Sequence, residues 1–349
     1  MDNKESYVKI RQDIVRFLVN ERKTKKLTQE ALAKRIGIPR SNLARFERGE
    51  QNPSLDFFIK VAVALGKEPD FILKSNEYKA SEKAPDMNRG KLMEPTALLK
   101  KIDEYKAVIC TRRPLTKEEV KELDSYFRVG LTYTSNALEG NTLTISETKV
   151  IIEDGITVGG KPLKDCYEAT GHAKAYDYML EIARGGRLVF DEAMILNLHN
   201  LFYSGLDTEN AGKYRNYQVF ITGNEYLPPA ADEVPALMKA LVAELNEKSK
   251  TLHPVILAAF AHRRLVDIHP FTDGNGRAAR LLMNLILVNK GYQIVSIPPI
   301  LRTEYINALI VGQKNNNPSD EAFFQFIAEC ELESQKDYCR MFRIELPKK

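Results

Sequence analysis

The stretch from Ile268 to Asn284, IHPFTDGNGRAARLLMN, constrains this chain more than any other. Before it runs HPVILAAFAHRRLVDI and after it ARLLMNLILVNKGY, both apolar at helical spacing. Pro270, Gly274 and Gly276 break the helical pattern between them, so a short turn must join the two segments. A helix beginning near Gly276 presents free N–H groups and the positive end of its dipole to that turn, which makes it an anion site. Arg277 and Arg280 are three apart and share one face of its first turn. Two guanidiniums at such a helix start suit phosphate groups. Asp273 is unfavourable there unless a cation accompanies the phosphates, and Mg²⁺ bridging carboxylate and phosphate oxygens meets that need. His269 precedes the turn and can serve as a general base, with Pro270 restricting its backbone. Asn275 can donate a hydrogen bond to a phosphate oxygen.

Other chemistries fit less well. GNGRAA formally matches the GxGxxA dinucleotide fingerprint, but that fingerprint follows a strand, and the preceding segment here is helical. No GxxxxGK[ST] phosphate loop occurs in the chain. A metal hydrolase built on His253, His262, His269 and Asp273 lacks any ligand spacing of the HExxH kind. His262 is expected to pack or hydrogen-bond within its helix.

The remainder reads as mainly α, with amphipathic or buried helical patterns over most of residues 93–349. One exception is KYRNYQVFITGNEYLPP, where β-branched and aromatic residues flank Gly223-Asn224 and predict a small β-hairpin. No apolar stretch reaches the length of a membrane span, and MDNKESYVKI has no signal-peptide core. The four cysteines form no CxxC pair. These features predict a cytoplasmic protein without membrane contact.

Charge is unevenly placed. Residues 1–74 carry 16 Lys and Arg against 10 Asp and Glu, a balance of +6, while the whole chain carries only +4. The excess points to an anionic partner for the first domain, although a solvated basic surface would look the same. Within it, TQEALAKRIGI and PRSNLARFERGE read as two short helices separated by a turn at Gly37, with Thr28 as a cap for the first. This segment resembles the Cro and lambda-repressor type of helix-turn-helix domain over about the first 75 residues. The resemblance implies that Gln29, Arg40, Ser41, Asn42 and Arg45 face duplex DNA; a role in dimerisation or protein contact is the alternative. SNEYKASEKAPDMNRGKL is polar and aperiodic, so residues 75–92 read as a linker between domains 1–74 and 93–349.

HPFTDGNGRAAR also matches, at every specified position, the motif HPFx[DE]GNGRxxR of the Fic (filamentation induced by cAMP) family, and the resemblance covers about residues 93–340. It implies an all-helical Fic domain with a small β-hairpin flap and a catalytic core at about 190–330. It also implies adenylyltransferase activity: AMP moves from ATP to a hydroxyl side chain of a target protein and pyrophosphate leaves. Carried onto this sequence, His269 would deprotonate a Ser, Thr or Tyr hydroxyl of the target, which could be the chain itself. Asp273 would hold Mg²⁺, Gly274, Asn275 and Gly276 would cradle the phosphates, and Arg277 and Arg280 would contact them. Val219, Phe220 and Ile221 of the flap would offer a strand edge to the target. Tyr305 and Gln313 are candidates for an adenine pocket, with a structural role as the alternative.

TSNALEGNTLT resembles the Fic inhibitory motif [ST]xxxE[GN] through Ser135, Glu139 and Gly140, within about 132–144. By that resemblance Glu139 pairs with Arg280 and occupies the place of the ATP γ-phosphate. The expected protein is thus an auto-inhibited adenylyltransferase joined to a DNA-binding domain, and a homodimer is compatible with it. Removal of AMP from a modified protein, other Fic phosphotransfer chemistry, and nucleotide sensing by a transcription regulator are the alternatives.

Overall fold

The computed structural model describes residues 15–38, 40–47, 55–66, 95–112, 114–221, 226–313 and 319–345. For Asn42, residues 55–59 and Pro95 it describes the main chain alone. The chain divides into two compact units, Met1–Arg89 and Gly90–Lys349. Residues 75–92, read as a linker, lie outside the described residues.

The first unit holds α1 (15–24), α2 (Gln29–Ile36), α3 (Arg40–Glu47) and α4 (Leu55–Ala64). Thr28 caps α2, its side-chain oxygen accepting from Ala31 N–H at 3.1 Å. Gly37 ends the helix in the left-handed region at φ +70°, where a side chain would be strained. Leu18, Leu32, Leu43, Phe46, Val61 and Leu65 bury their side chains to form one small core.

The second unit is built around a helix that is apolar on nearly every side. Helix α12 (Asn275–Asn289) buries the unbroken run from Arg277 to Leu287. A helix of that character can only sit in the middle of a bundle. It packs against α11 (Pro254–Ile268), α8 (Leu163–Arg184), α9 (Glu192–Tyr203) and α6 (Lys117–Ala137). Outside these, α10 (Val234–Lys248) lies on α11, and α14 (Glu321–Met341) packs against α11, α13 (Arg302–Gln313) and α5 (Pro95–Thr111). The short α7 (Ile145–Lys149) runs into a π turn at Val150–Asp154.

The expected hairpin is not seen among the described residues. No strand occurs on either side of Gly223-Asn224 among the described residues, and the turn itself lies outside them. Pro228 and Pro229 have no N–H to donate to a ladder. Side chains join the two arms instead: Gln218 Nε2 donates to the carbonyls of Val219 and Pro228, at 3.1 and 3.0 Å. Phe220 is 78% exposed, and Val219 and Ile221 are partly buried.

Candidate active site

The site grows from the turn between α11 and α12. Helix α11 ends at His269, whose N–H still bonds Leu265 O at 2.9 Å while its backbone turns left-handed, φ +51° and ψ +57°. That conformation is uncommon for a residue with a side chain and swings the following peptide off the helix axis. The ring lies with Nδ1 3.2 Å from Val266 O. A carbonyl can only accept, so Nδ1 carries the proton and Nε2 keeps its lone pair. Burial pulls the His269 pKa below the ordinary imidazole value, and Arg215 acts the same way; the Val266 bond, Glu139 and Asp273 oppose them without cancelling the shift. His269 is therefore neutral at pH 7, with one nitrogen ready to take a proton.

The turn is held from inside. Asn275 donates through Nδ2 to Phe271 O and accepts from Phe271 N–H, both at 2.9 Å. Its amide is thus turned into the protein, which corrects the expectation that it reaches a phosphate: it shapes the turn. Phe271 is fully buried and stacks on His199 with ring centroids 3.8 Å apart. His199 in turn accepts from Gly212 N–H through Nδ1 and donates to Asp273 O through Nε2, each at 3.0 Å. Burial lowers its pKa to about 4, so it stays a neutral two-sided linker.

Two glycines are there because nothing larger fits. A Cβ on Gly274, at φ +79°, would lie 2.2 Å from the Phe202 ring. One on Gly276 would lie 2.4 Å from Glu139 Oε1 and 3.0 Å from Arg280 Nη1. The first helical turn therefore opens directly onto a carboxylate and a guanidinium. Asp273 accepts from Gly274 N–H at 2.6 Å and leaves its side chain 53% exposed.

Arg277 and Arg280 are both about 2% exposed, yet they are partnered differently. Arg280 donates from Nε to Ser135 Oγ (2.9 Å), from Nη2 to Ser135 O (2.9 Å) and Glu139 Oε1 (2.7 Å), and from Nη1 to Tyr305 OH (3.2 Å). Glu139 stands just beyond the end of α6, and Arg302 holds that end by donating to Leu138 O at 2.8 Å. Burial works to raise the Glu139 pKa, but Arg280 outweighs it with Arg277 and Arg302, and the net shift is downward. Gly140 follows at φ +93°. Arg277 instead places Nη1 2.8 Å from Glu168 Oε1, outside hydrogen-bond geometry, and its Nε has no hydrogen-bond partner. Its guanidinium also lies 5.1 Å from the Phe202 ring centre, and Asp273 is 3.6 Å away. Glu168 reaches across to Asn141, accepting from Nδ2 at 2.8 Å.

Two candidates for an adenine pocket are placed elsewhere. Tyr305 is buried behind Arg280, its hydroxyl shared with His262 Nε2 at 3.0 Å. A buried phenol needs such partners, and these fix it as a brace for Arg280. Gln313 donates to Asp267 on α11 at 2.8 Å. Among the described residues no group of three or more His, Cys, Asp or Glu could hold a metal by itself. Sequence reasoning missed His199, Glu168 and Arg215, which look like ordinary residues of helices and loops until the fold turns them toward the motif.

In the first unit, Arg40, Ser41 and Arg45 are exposed on α3. Gln29 is a correction: it donates to Glu47 Oε2 at 2.8 Å, and Glu47 also takes Arg22 bidentately at 2.6 and 2.8 Å. One N–H of its amide is thus taken by an ion pair within the unit. The side chain of Asn42 lies outside the described residues.

Comparison with known proteins accords with this geometry. The family model of the Fic/DOC family matches residues 189–287, and that of a helix-turn-helix matches residues 18–72. The protein adenylyltransferase Fic of Drosophila melanogaster is 38% identical over 199 residues, which cover 57% of this chain and 39% of that protein. The corresponding protein of Drosophila mojavensis is 37% identical, covering 57% and 38%. The chain thus spans about two fifths of the length of these curated relatives. Among solved structures, a fragment of Fic-1 from C. elegans superposes with a TM-score of 0.65 at 27% identity, over 71% of this chain and 73% of that one. A Fic domain containing signaling protein from Bacteroides thetaiotaomicron gives 0.63 at 28% identity, over 72% and 99%. No described helix is long and apolar enough to cross a membrane.

Proposed function

Because this chain carries a Fic/DOC-family domain together with a helix-turn-helix, we propose that it is an auto-inhibited protein adenylyltransferase coupled to a DNA-binding unit. The observation that carries the reading is His269: neutral, with Nδ1–H tied to Val266 O and Nε2 free, at the mouth of a turn that opens onto two buried arginines. Nε2 takes the proton from a Ser, Thr or Tyr hydroxyl. The hydroxyl oxygen bonds to the α-phosphorus of ATP as the bond to the β-phosphate oxygen breaks, and pyrophosphate departs.

The residues fit a nucleoside triphosphate and its divalent cation. Arg277 retains an unpartnered buried donor, Gly276 leaves the helix start open, and Asp273 is half exposed beside both. Asp273 would hold Mg²⁺, which supplies neutralisation of phosphate charge. The α12 N-terminus and Arg277 bind the phosphates, and Arg280 takes the γ-phosphate once Glu139 leaves it. With Glu139 against Gly276 the carboxylate fills that place, and ATP is held out of the productive pose. The partly exposed segment 219–221 receives the target, and Arg40, Ser41 and Arg45 face DNA. A cytoplasmic location suits both activities.

Purified full chain with labelled ATP and Mg²⁺ tests the reading. His269→Ala should lower labelling of protein by ~10²–10⁴-fold, the typical worth of a general base, with ATP affinity nearly unchanged. Labelling equal to wild type would sink the assignment. The depressed His269 pKa also fixes the pH profile: transfer should be level above pH 6.5 and fall only below it, as the base becomes protonated. For the first unit, the full chain should shift duplex DNA with an affinity that falls steeply as salt rises. Arg45→Ala should weaken the binding; absence of any shift at low salt would reassign the unit to protein contact.

A further inference from the structure

Arg215 is buried to 3% exposure, and no carboxylate pairs with it among the described residues. An unpaired buried cation is costly, and such groups persist where their hydrogen bonds are all satisfied. Each of its three side-chain nitrogens donates to a main-chain oxygen. Nε donates to His269 O at 2.8 Å, Nη1 to Tyr217 O at 3.0 Å and Nη2 to Pro229 O at 2.5 Å. Its own N–H donates to Pro270 O at 2.9 Å. The two arms of the segment expected to be a hairpin are therefore fastened to the very residue that carries the base.

We propose that Arg215 is a positioning residue for His269, a guanidinium clamp that sets the direction of the imidazole and couples it to the segment expected to receive the target; the inference rests on His269 being the general base. The geometry of His269 explains why a clamp is needed. Its φ of +51° is shared among the described non-glycine residues only with Lys26 and Arg343. Left-handed backbone is disfavoured for a residue with a side chain, so something must hold it. Leu265 O holds the amide side of the residue, and Arg215 holds the carbonyl side. These two bonds fix the Cα–Cβ direction, and the Nδ1 bond to Val266 O then sets the ring and with it Nε2. Burial of the ring and the nearby positive charge of Arg215 act together in keeping His269 neutral. Among the described residues none of Arg215's hydrogen bonds reaches a group assigned to the phosphates, so its effect should be confined to the base.

The test uses the full chain carrying Glu139→Gly, with Arg215→Lys and Arg215→Met added separately. Lysine keeps the charge and stem, but its donors radiate from a single nitrogen and cannot span the three carbonyls as the planar fork does; methionine keeps only the stem. Transfer from labelled ATP should fall about tenfold with lysine and about a hundredfold with methionine, the scale of a base displaced by about an ångström. ATP affinity should remain within about twofold. The His269 ring titration, followed by NMR, should move upward with methionine and stay near the parent value with lysine, which separates position from charge. If the parent itself transfers no label, the proposed activity fails, while the titration still reports on the clamp. If the parent transfers and either folded variant matches it, the positioning role is overturned. Equal losses in ATP affinity and transfer would overturn it too, as would failure of both variants to fold, since Arg215 would then belong to the fold alone.

Discussion

Two regions of the second unit bury charge, and they do so in opposite ways. Around the first turn of α12, Arg277, Arg280, Glu139 and Glu168 are buried or half-buried as ions facing one another. On α14, Glu331 is fully buried, and its described partners are neutral: Oε1 accepts from Gln293 N–H at 3.0 Å and from Gln335 Nε2 at 2.9 Å. Burial drives its pKa up to about 8, against those bonds and the more distant Lys106, so it is largely a neutral acid at pH 7. The first arrangement keeps full charges, which under the proposed function lets a charged ligand replace one of them. The second keeps none, and nothing can be exchanged there. Ions at an opening and a neutral acid in a sealed core are what separates a site from a support.

The largest gain in transfer should come from breaking the Arg280 pair. Glu139→Gly removes the carboxylate that lies against Gly276 and frees Arg280 for an anion. Because the Glu139 side chain is 37% exposed, solvent screening reduces what the pair contributes. An increase of auto-modification of about tenfold is therefore expected, measured with labelled ATP. Arg280→Ala in the same chain should cancel the gain. An unchanged rate in Glu139→Gly would remove inhibition by this segment from consideration. Loss of an AMP-removing activity would instead make Glu139 a catalytic group.

The Arg277 side tests the same contrast through stability rather than through rate. Glu168→Gln leaves a buried guanidinium with Asp273 as its nearest charge, 3.6 Å away. Removing one partner of a buried pair typically costs about 3–5 kcal/mol, so the melting temperature should drop by several degrees or more. ATP with Mg²⁺ brings the missing negative charge. Its stabilising shift in a thermal melt should then be larger in Glu168→Gln than in the parent. Equal shifts would mean that Arg277 does not depend on Glu168 for its counter-charge.

How much of this could be read from the chain follows the same division. The turn, its glycines and both arginines lie within twelve consecutive residues, so local chemistry announced them. The Ser135–Glu139–Arg280 contact spans more than a hundred residues and was reachable only through a resemblance. Glu168, His199 and Arg215 carried no local signal, because a buried polar residue on a helix looks like a solvated one until its neighbours are known. On the described residues either side of Gly223-Asn224 no strand forms, for a physical reason: aromatic and β-branched residues favour strands, but two prolines cannot donate to a ladder and the Arg215 and Gln218 side chains bond their carbonyls instead. Gln29 misled similarly, since the Arg22–Glu47 pair that claims it joins residues 25 apart.

The smallest effect sharpens the other half of the comparison. The folded pKa of Glu331, about 8, lies above the ordinary value of 4.5, so the folded chain binds this proton more tightly than the unfolded one. Its contribution to stability is then fully present below pH 4.5 and is lost progressively as pH rises from 4.5 toward 8. Above pH 8 both states are ionised and the loss levels off. Glu331→Gln keeps an uncharged group of similar shape and can still accept from Gln293 N–H. It should match the parent near pH 4.5 and melt a few degrees higher than the parent at pH 8.5, with a flatter profile between. Glu139→Gln, at the charged site, should not reproduce this: the Glu139 pKa is depressed, so its stabilising effect is fully present above the ordinary carboxylate value and is lost only as pH falls through the lowered one. Parallel profiles for the two glutamine variants would mean that Glu331 is also ionised at neutral pH, and the distinction between the two regions would collapse.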